Sequence, residues 1–152
     1  MFILIMFMVL SSLLAILEGF MISRKSIGVA NLTTELARTV AVQGGVLDRV
    51  PAGYPGGDEA YTDINEIQNL IRTQMANLGF RENEYQITLN NQPLANAREV
   101  DYRQTFTVDI NARQPFTFVS RVFGLQNVQM NYGTSRSGVS EWKYDYNTWN
   151  GE

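Results

Sequence analysis

The sequence contains neither cysteine nor histidine among its 152 residues. The lack of cysteine excludes disulfide bonds and thiolate metal sites. Together the two absences remove the commonest side-chain nucleophile, the commonest general base and the commonest transition-metal ligand. The acidic residues show no paired arrangement of the kind that acid–base catalysis needs. We therefore predict that the protein is not an enzyme and that it uses no cofactor.

Excess positive charge is also lacking, since the net charge is -3 and the isoelectric point is about 5.0. Binding to phosphate backbones needs a basic surface, so we predict no nucleic-acid partner. The acidic side chains of Asp58, Glu59 and Asp63 lie close together, but they lack the spacing of an EF-hand. We interpret them as a solvated loop that caps a helix, with a bound calcium ion as the alternative.

Charge is missing altogether from Met1 to Leu17, and Glu18 is the single charged residue up to Ile22. As a helix, this stretch would measure about 33 Å, close to the thickness of a bilayer core. We predict that residues 1–22 form a transmembrane segment or the core of a filament. The side chains expected to form that surface are Phe2, Ile3, Leu4, Ile5, Phe7, Leu10, Leu13, Leu14 and Leu17.

A cleaved signal peptide would explain the same composition, but no basic residue precedes the apolar run and no small-residue cleavage site follows it. The nearby positive charges, Arg24 and Lys25, follow the span, which would place the rest of the chain in the cytoplasm. The remainder is instead rich in Asn, Gln, Thr and Tyr, as extracytoplasmic domains are. We therefore hypothesise that a short basic leader precedes Met1 in the precursor.

No proline occurs before Pro51, so the helix is expected to continue beyond the apolar run, to about Leu47. Residues 23–47 are predicted to be its amphipathic continuation, which ends at Gly44-Gly45. One apolar stripe runs along this half at helical spacing and should pack against a head. The stripe consists of Val29, Leu32, Leu36 and Val40.

Residues 48–152 are predicted to form a β-rich head with one short helix. That helix should begin after Asp63, which together with Glu66 has capping-box-like spacing, and end near Gly79. Asn90–Pro93 has the composition of a turn. Period-two alternation then predicts strands, at Tyr85–Leu89, Val100–Ile110, Val128–Tyr132 and Trp142–Tyr146. We expect Gly133–Gly138 to be a polar turn, and Phe116–Leu125 is ambiguous between a loop, a helix and a strand.

The order of these segments resembles the type IV pilin superfamily, and most closely its TadE-like pilins. The resemblance lies in an apolar run followed by a glutamate and an aromatic residue, then a small-residue-rich helix with an Ala-Arg pair and a glycine. The matching segments all lie within the first 45 residues. They are Leu13-Leu14-Ala15-Ile16-Leu17-Glu18-Gly19-Phe20, Val29-Ala30-Asn31-Leu32, Glu35-Leu36-Ala37-Arg38 and Ala41-Val42-Gln43-Gly44-Gly45.

The resemblance implies an α+β fold, with a long hydrophobic N-terminal helix packed on a small antiparallel sheet. It also implies cleavage by a prepilin peptidase, which would make Met1 a processed N-terminus. Type IV pilins usually carry a glutamate at the fifth mature position, whereas this sequence has Ile5 there. The role of that glutamate is therefore not transferred to any residue of this chain.

Glu18 is the most unusual residue of the span, because a carboxylate at the edge of an apolar segment is costly unless it is solvated or paired. We hypothesise that it pairs with Arg24 or Lys25 of a neighbouring subunit during assembly. The alternative is that it reaches interfacial water beside the same two residues of its own chain.

These features predict a structural subunit of an extracellular, type IV pilus-like filament. Its expected partners are copies of itself, a membrane before assembly, and the pilus assembly machinery. The expected location is first the cell membrane and then the bacterial surface, where attachment is one of several roles that would fit. Two alternatives are a minor pseudopilin of a secretion or conjugation apparatus and a monomeric, single-pass, membrane-anchored binding module.

Overall fold

A computed structural model describes residues 1–51, 54–96, 98–116, 118, 124 and 128–141. Its longest element is helix α1, Phe2–Gln43, whose 42 residues extend over about 63 Å. The helix ends where Gly44 takes a left-handed conformation (φ 72°) and donates its backbone N–H to the carbonyl of Val40. The helix thus stops at the predicted glycine, and its last residue, Gln43, lies four residues before the expected end at Leu47.

Helix α2, Ile64–Asn77, confirms the predicted short helix of the head. Asp63 caps it by accepting a hydrogen bond of 2.8 Å from the backbone N–H of Glu66. Gly79, with φ 82°, follows its C-terminal end. Single 3-10 turns occupy Gly57–Glu59 and Glu82–Glu84.

The strands form a small antiparallel sheet and a separate two-stranded pair. The pair consists of β1 (Gly45–Val46) and β4 (Arg98–Glu99). The sheet has the order β3-β2-β5-β6, and β7 also pairs with β5. Its strands are β2 (Tyr85–Leu89), β3 (Gln92–Pro93), β5 (Thr105–Pro115), β6 (Gln129–Asn131) and β7 (Thr134–Val139). The α+β class is therefore confirmed.

The first hairpin follows directly from its turn residues. Leu89 pairs with Gln92, which leaves Asn90 and Asn91 as a two-residue loop. Both asparagines have positive φ, 51° and 62°, as a type I′ turn requires. Asparagine tolerates this region better than most other residues do. The turn predicted at Asn90–Pro93 is therefore confirmed at Asn90 and Asn91, whereas Gln92–Pro93 forms strand β3.

The predicted strand at Val100–Ile110 begins too early. The chain first turns, with the N–H of Gln104 donating to the carbonyl of Asp101 and with Arg103 at φ 62°, and β5 starts only at Thr105. This turn is needed because the N–H of Val100 is bonded to the carbonyl of Gly44 at the end of α1. The alternation of residues 100–104 therefore does not continue the sheet.

The prediction of a turn at Gly133–Gly138 is wrong, because this segment contains most of β7. Its small residues are explained by close packing: a Cβ on Gly138 would lie 2.7 Å from Cζ of the buried ring of Phe106. The strand predicted around Met130 is confirmed over Gln129–Asn131. The strand predicted at Trp142–Tyr146 and most of the ambiguous segment Phe116–Leu125 lie outside the described residues.

The hydrophobic core lies between the second half of α1, helix α2 and the inner face of the sheet. Helix α1 packs on β5 and β7 through the apolar stripe. From the sheet, the core contains Ile87, Leu89, Phe106, Val108 and Ile110, and from α2 it contains Ile64, Ile67, Ile71 and Met75.

Replacing Leu32, which is 4% exposed, should remove core packing between α1 and the head. We expect Leu32→Ala to lower the free energy of unfolding of the detergent-solubilised chain by about 2–5 kcal/mol, measured by denaturant titration. Ile27→Ala is the matched control on the same helix, because Ile27 is 61% exposed. Equal losses in the two variants would contradict the packing described here.

Candidate assembly surface

The N-terminal part of α1 projects from the head with its apolar side chains in the open. Eight of the nine residues expected to form the membrane or filament surface are more than half exposed, from 79% at Phe2 to 53% at Leu10, and Leu14 is half-buried. Met1, at the tip, is fully exposed. We call Met1–Leu17 the apolar arm. An exposed apolar surface of this extent indicates contact with lipid or protein.

By length and composition, α1 could cross a membrane, although a signal sequence near an N-terminus would satisfy the same criterion. Nothing interrupts the helix between the arm and the head, because α1 runs unbroken from Phe2 to Gln43. Ser12, the exposed hydroxyl of the arm, donates to the carbonyl of Met8 at 2.8 Å, so this polar group is satisfied within the helix. The arm therefore has a fixed direction relative to the head.

The stripe predicted to pack on the head lies in the core. Val29, Leu32, Leu36 and Val40 are all at most 4% exposed. Thr33, on the same side, is fully buried and satisfies its hydroxyl by donating to the carbonyl of Val29. The same helix thus presents apolar side chains all round in its first half and a single buried stripe in its second half.

Glu18 lies where these two halves meet. Although it belongs to the apolar run, it is only 3% exposed, because the head covers it. Its Oε2 atom accepts a hydrogen bond of 3.0 Å from the backbone N–H of Phe118, one hundred residues further along the chain. Neither interfacial water nor a neighbouring subunit is needed to explain this position, since the carboxylate is already held by its own head.

Arg24 and Lys25, the two cations predicted to join Glu18 in assembly, occupy different surroundings. Arg24 is exposed. Lys25 points towards the head, where its Nζ donates to the side-chain carbonyl of Gln114 and lies 5.1 Å from the ring centroid of Phe80. Burial lowers the pKa of Lys25 from its ordinary value, and the charges of Glu84 and Glu18 oppose that shift. Arg24 is therefore the cation of the pair that is open to a partner.

Tyr132 completes the polar group between α1 and the head. It is 7% exposed, and its ring meets that of Phe80 edge to face at 5.2 Å. Burial raises the pKa of its hydroxyl, and the nearby charge of Glu18 adds to this effect. The tyrosine thus belongs to the contact between α1 and the head around Glu18. We call this contact the seam, and it consists of Glu18, Lys25, Gln114, Phe118 and Tyr132.

Gln114, Phe118 and Tyr132 were not among the predicted site residues. Each lies far from Glu18 and Lys25 in the sequence, and none belongs to a local motif. The strand register that brings them to α1, with Gln114 opposite Met130, is a property of the folded sheet. A single sequence carries no short-range signal of that pairing.

Within the described part of the chain, no three His, Cys, Asp or Glu side chains come together in a way that could hold an ion. Of the predicted acidic loop, Asp63 serves as the cap of α2. The candidate site therefore consists of the apolar arm and of the seam around Glu18.

Comparison of this chain with protein-family models, curated proteins and solved structures gives no match.

The bond between Glu18 and Phe118 can be tested by substitution. We expect Glu18→Ala to destabilise the contact between α1 and the segment at Phe118 by about 0.5–1.5 kcal/mol, because the part-buried N–H of Phe118 loses this acceptor. Glu18→Gln keeps a side-chain oxygen in the same place and should cost less. The measurement is amide hydrogen exchange of Phe118 in micelles, which should be faster in the alanine variant. Unchanged exchange in Glu18→Ala would show that the bond does not hold this segment.

Proposed function

We propose that this protein is the structural subunit of an extracellular, type IV pilin-like filament. In this proposal the apolar arm stores the subunit in the membrane and later packs against the arms of other copies in the filament core. The head forms the outer surface. The role is structural and involves neither a chemical reaction nor a cofactor.

The observation that carries this proposal is the exposure of the apolar arm, in which every residue except the half-buried Ser11 and Leu14 is exposed. Removing apolar surface from water is worth about 25 cal/mol for each Å². The exposed apolar side chains of the arm can be removed from water by lipid, and equally by several identical helices, without any change in the structure of the arm. The same surface thus suits both the stored and the assembled state.

The unbroken helix gives a second argument, and it favours assembly over simple anchoring. A tethered binding module needs no fixed angle between its membrane span and its head. Here α1 belongs to both, and the buried stripe and the bond between Glu18 and Phe118 hold the head in one orientation. A constant angle between arm and head is what a regular helical array requires, because each subunit must repeat the same contacts.

The size of the head-bearing half fits the same interpretation. Residues 18–43 of α1 extend over about 39 Å beneath the head, which covers one side of the helix. The other side carries exposed apolar residues that continue from the arm, with Phe20 at 70% and Ile27 at 61% exposure. We assign this face to contacts with neighbouring subunits.

A charge placed in the middle of the arm should prevent both storage of the subunit in the membrane and its packing in the filament core. We expect Leu10→Asp to reduce membrane insertion and filament yield strongly, because a central aspartate costs about 2.5–3.5 kcal/mol in a transmembrane helix. Thr105→Asp, at an exposed position of β5, is the matched control and should assemble normally. The measurement is the amount of this chain in sheared, pelleted surface material, with negative-stain microscopy of the same fraction.

The outcomes of this experiment separate the alternatives. An abundant chain in wild-type filaments identifies a major pilin, and a scarce one identifies a minor pseudopilin. A chain that remains entirely in the membrane fraction would be an anchored monomeric module. Filaments formed as well by Leu10→Asp as by wild type would overturn the role of the arm.

A further inference from the structure

The apolar surface of α1 does not end at Glu18, although the apolar run of the sequence does. The carboxylate is covered by the head, whereas Phe20, two residues later, is 70% exposed. Met21 and Ile22 are half-buried, and Arg24 is the first exposed charged side chain along the helix. Between Leu17 and Ser23, the exposed surface of α1 therefore carries no polar side chain. In a membrane, the boundary between hydrocarbon and head groups should lie at this point.

The head begins below that boundary. The backbone N–H of Phe118 reaches Glu18, and Pro115 and Phe116 line a narrow gap together with Glu18 and Ile22. Glu18 precedes Arg24 by six residues, which corresponds to about 9 Å along the helix axis. The lowest part of the head that the structure describes thus overlaps the last stretch of the apolar surface of α1.

We propose that this lowest part of the head, which we call the rim and define as Pro115, Phe116 and Phe118, is embedded in the membrane interface while the subunit is stored. The occupant of the surface is the boundary between acyl chains and lipid head groups. The inference rests on the membrane-stored state of the proposed function, but it does not depend on filament formation.

The chemistry of the rim suits this depth. Its three members are proline and phenylalanine, and Pro115 is exposed. Phenylalanine is one of the residues that interfacial amphipathic helices bury, about 5–10 Å deep, at the boundary between head groups and acyl chains. A polar rim at this level would instead oppose insertion of the last turn and a half of the apolar surface.

The position of Glu18 has a direct explanation on this basis. A carboxylate at hydrocarbon depth is costly unless it is shielded and hydrogen-bonded. The rim supplies both conditions, because it covers the side chain to 3% exposure and donates the N–H of Phe118. Lys25, Gln114 and Tyr132 lie at or above the same seam, towards the head-group region. The rim therefore allows one charged residue to stay within the inserted part of the helix.

Because the chain has no cysteine, the depth of single positions can be measured with introduced cysteines carrying nitroxide spin labels. One variant, Phe20→Cys, places the label on the exposed apolar face of α1. The other two, Pro115→Cys and Phe118→Cys, place it on the rim. Tyr102→Cys is the control: this residue is aromatic and 43% exposed, and it lies two residues from Val100, which is bonded to the far end of α1. The full-length chain is placed, one copy per disc, in phospholipid nanodiscs.

The readout is the ratio of accessibility to oxygen, which concentrates in lipid, to accessibility to a water-soluble nickel chelate. We expect Pro115 and Phe118 to give ratios close to that of Phe20 and clearly above that of Tyr102. Ratios at both rim positions equal to that of Tyr102 would overturn the inference. The exposed position Pro115 keeps the test decisive if the label at Phe118 disturbs its contact with Glu18.

The test also separates this inference from the proposed function. An embedded rim in a chain that never forms filaments would support the inference and overturn the filament role. If the chain forms filaments but its rim is exposed to water in nanodiscs, the filament role is supported and the inference about the rim is overturned.

Discussion

A single helix that must satisfy two different surroundings is the constraint on which the structure depends. The apolar arm at the start of α1 is largely exposed, whereas the later part of the helix is buried along one stripe against the sheet and α2. Because the helix is continuous, the two halves cannot be oriented independently. The position of the head, the exposure of the arm and the environment of Glu18 all follow from where the sheet meets this helix.

The transition between the halves takes place within two turns. Glu18 is buried by the head, Phe20 is exposed, and Lys25 points into the seam between α1 and the sheet. The head therefore does more than cover the amphipathic stripe. It also removes the one charge that would interrupt the apolar surface of the helix, which extends that surface from Leu17 to Ile22.

The parts of the fold that were predicted correctly depend on neighbouring residues. The stripe of α1, the Asp63 cap and the asparagine turn each have a local physical cause, which a short window of sequence contains. The residues that form the seam come together for no such local cause. Glu18 and Phe118 are one hundred residues apart, and Phe118 meets Glu18 only because the chain that leaves β5 lies against α1.

Strand β7 shows a second limit of sequence patterns. Its serines and glycine have the composition of a turn, but the glycine allows close packing against Phe106, and Arg136 reaches Thr34 on α1. Val100–Gln104 shows the converse, because its alternation predicts a strand while contact with Gly44 turns the chain away. In both cases the tertiary contact decides against the local preference.

The central claim is that the apolar arm is covered by copies of itself outside the cell. Hydroxyl-radical footprinting of sheared, lipid-free surface material tests it most directly, because Met6 and Met8 lie on the arm, at 57% and 62% exposure in the single chain, and Tyr102 lies in the head, at 43% exposure. The account predicts that Met6 and Met8 are protected in this material while Tyr102 is oxidised. Oxidation of Met6 and Met8 alongside Tyr102 would contradict it.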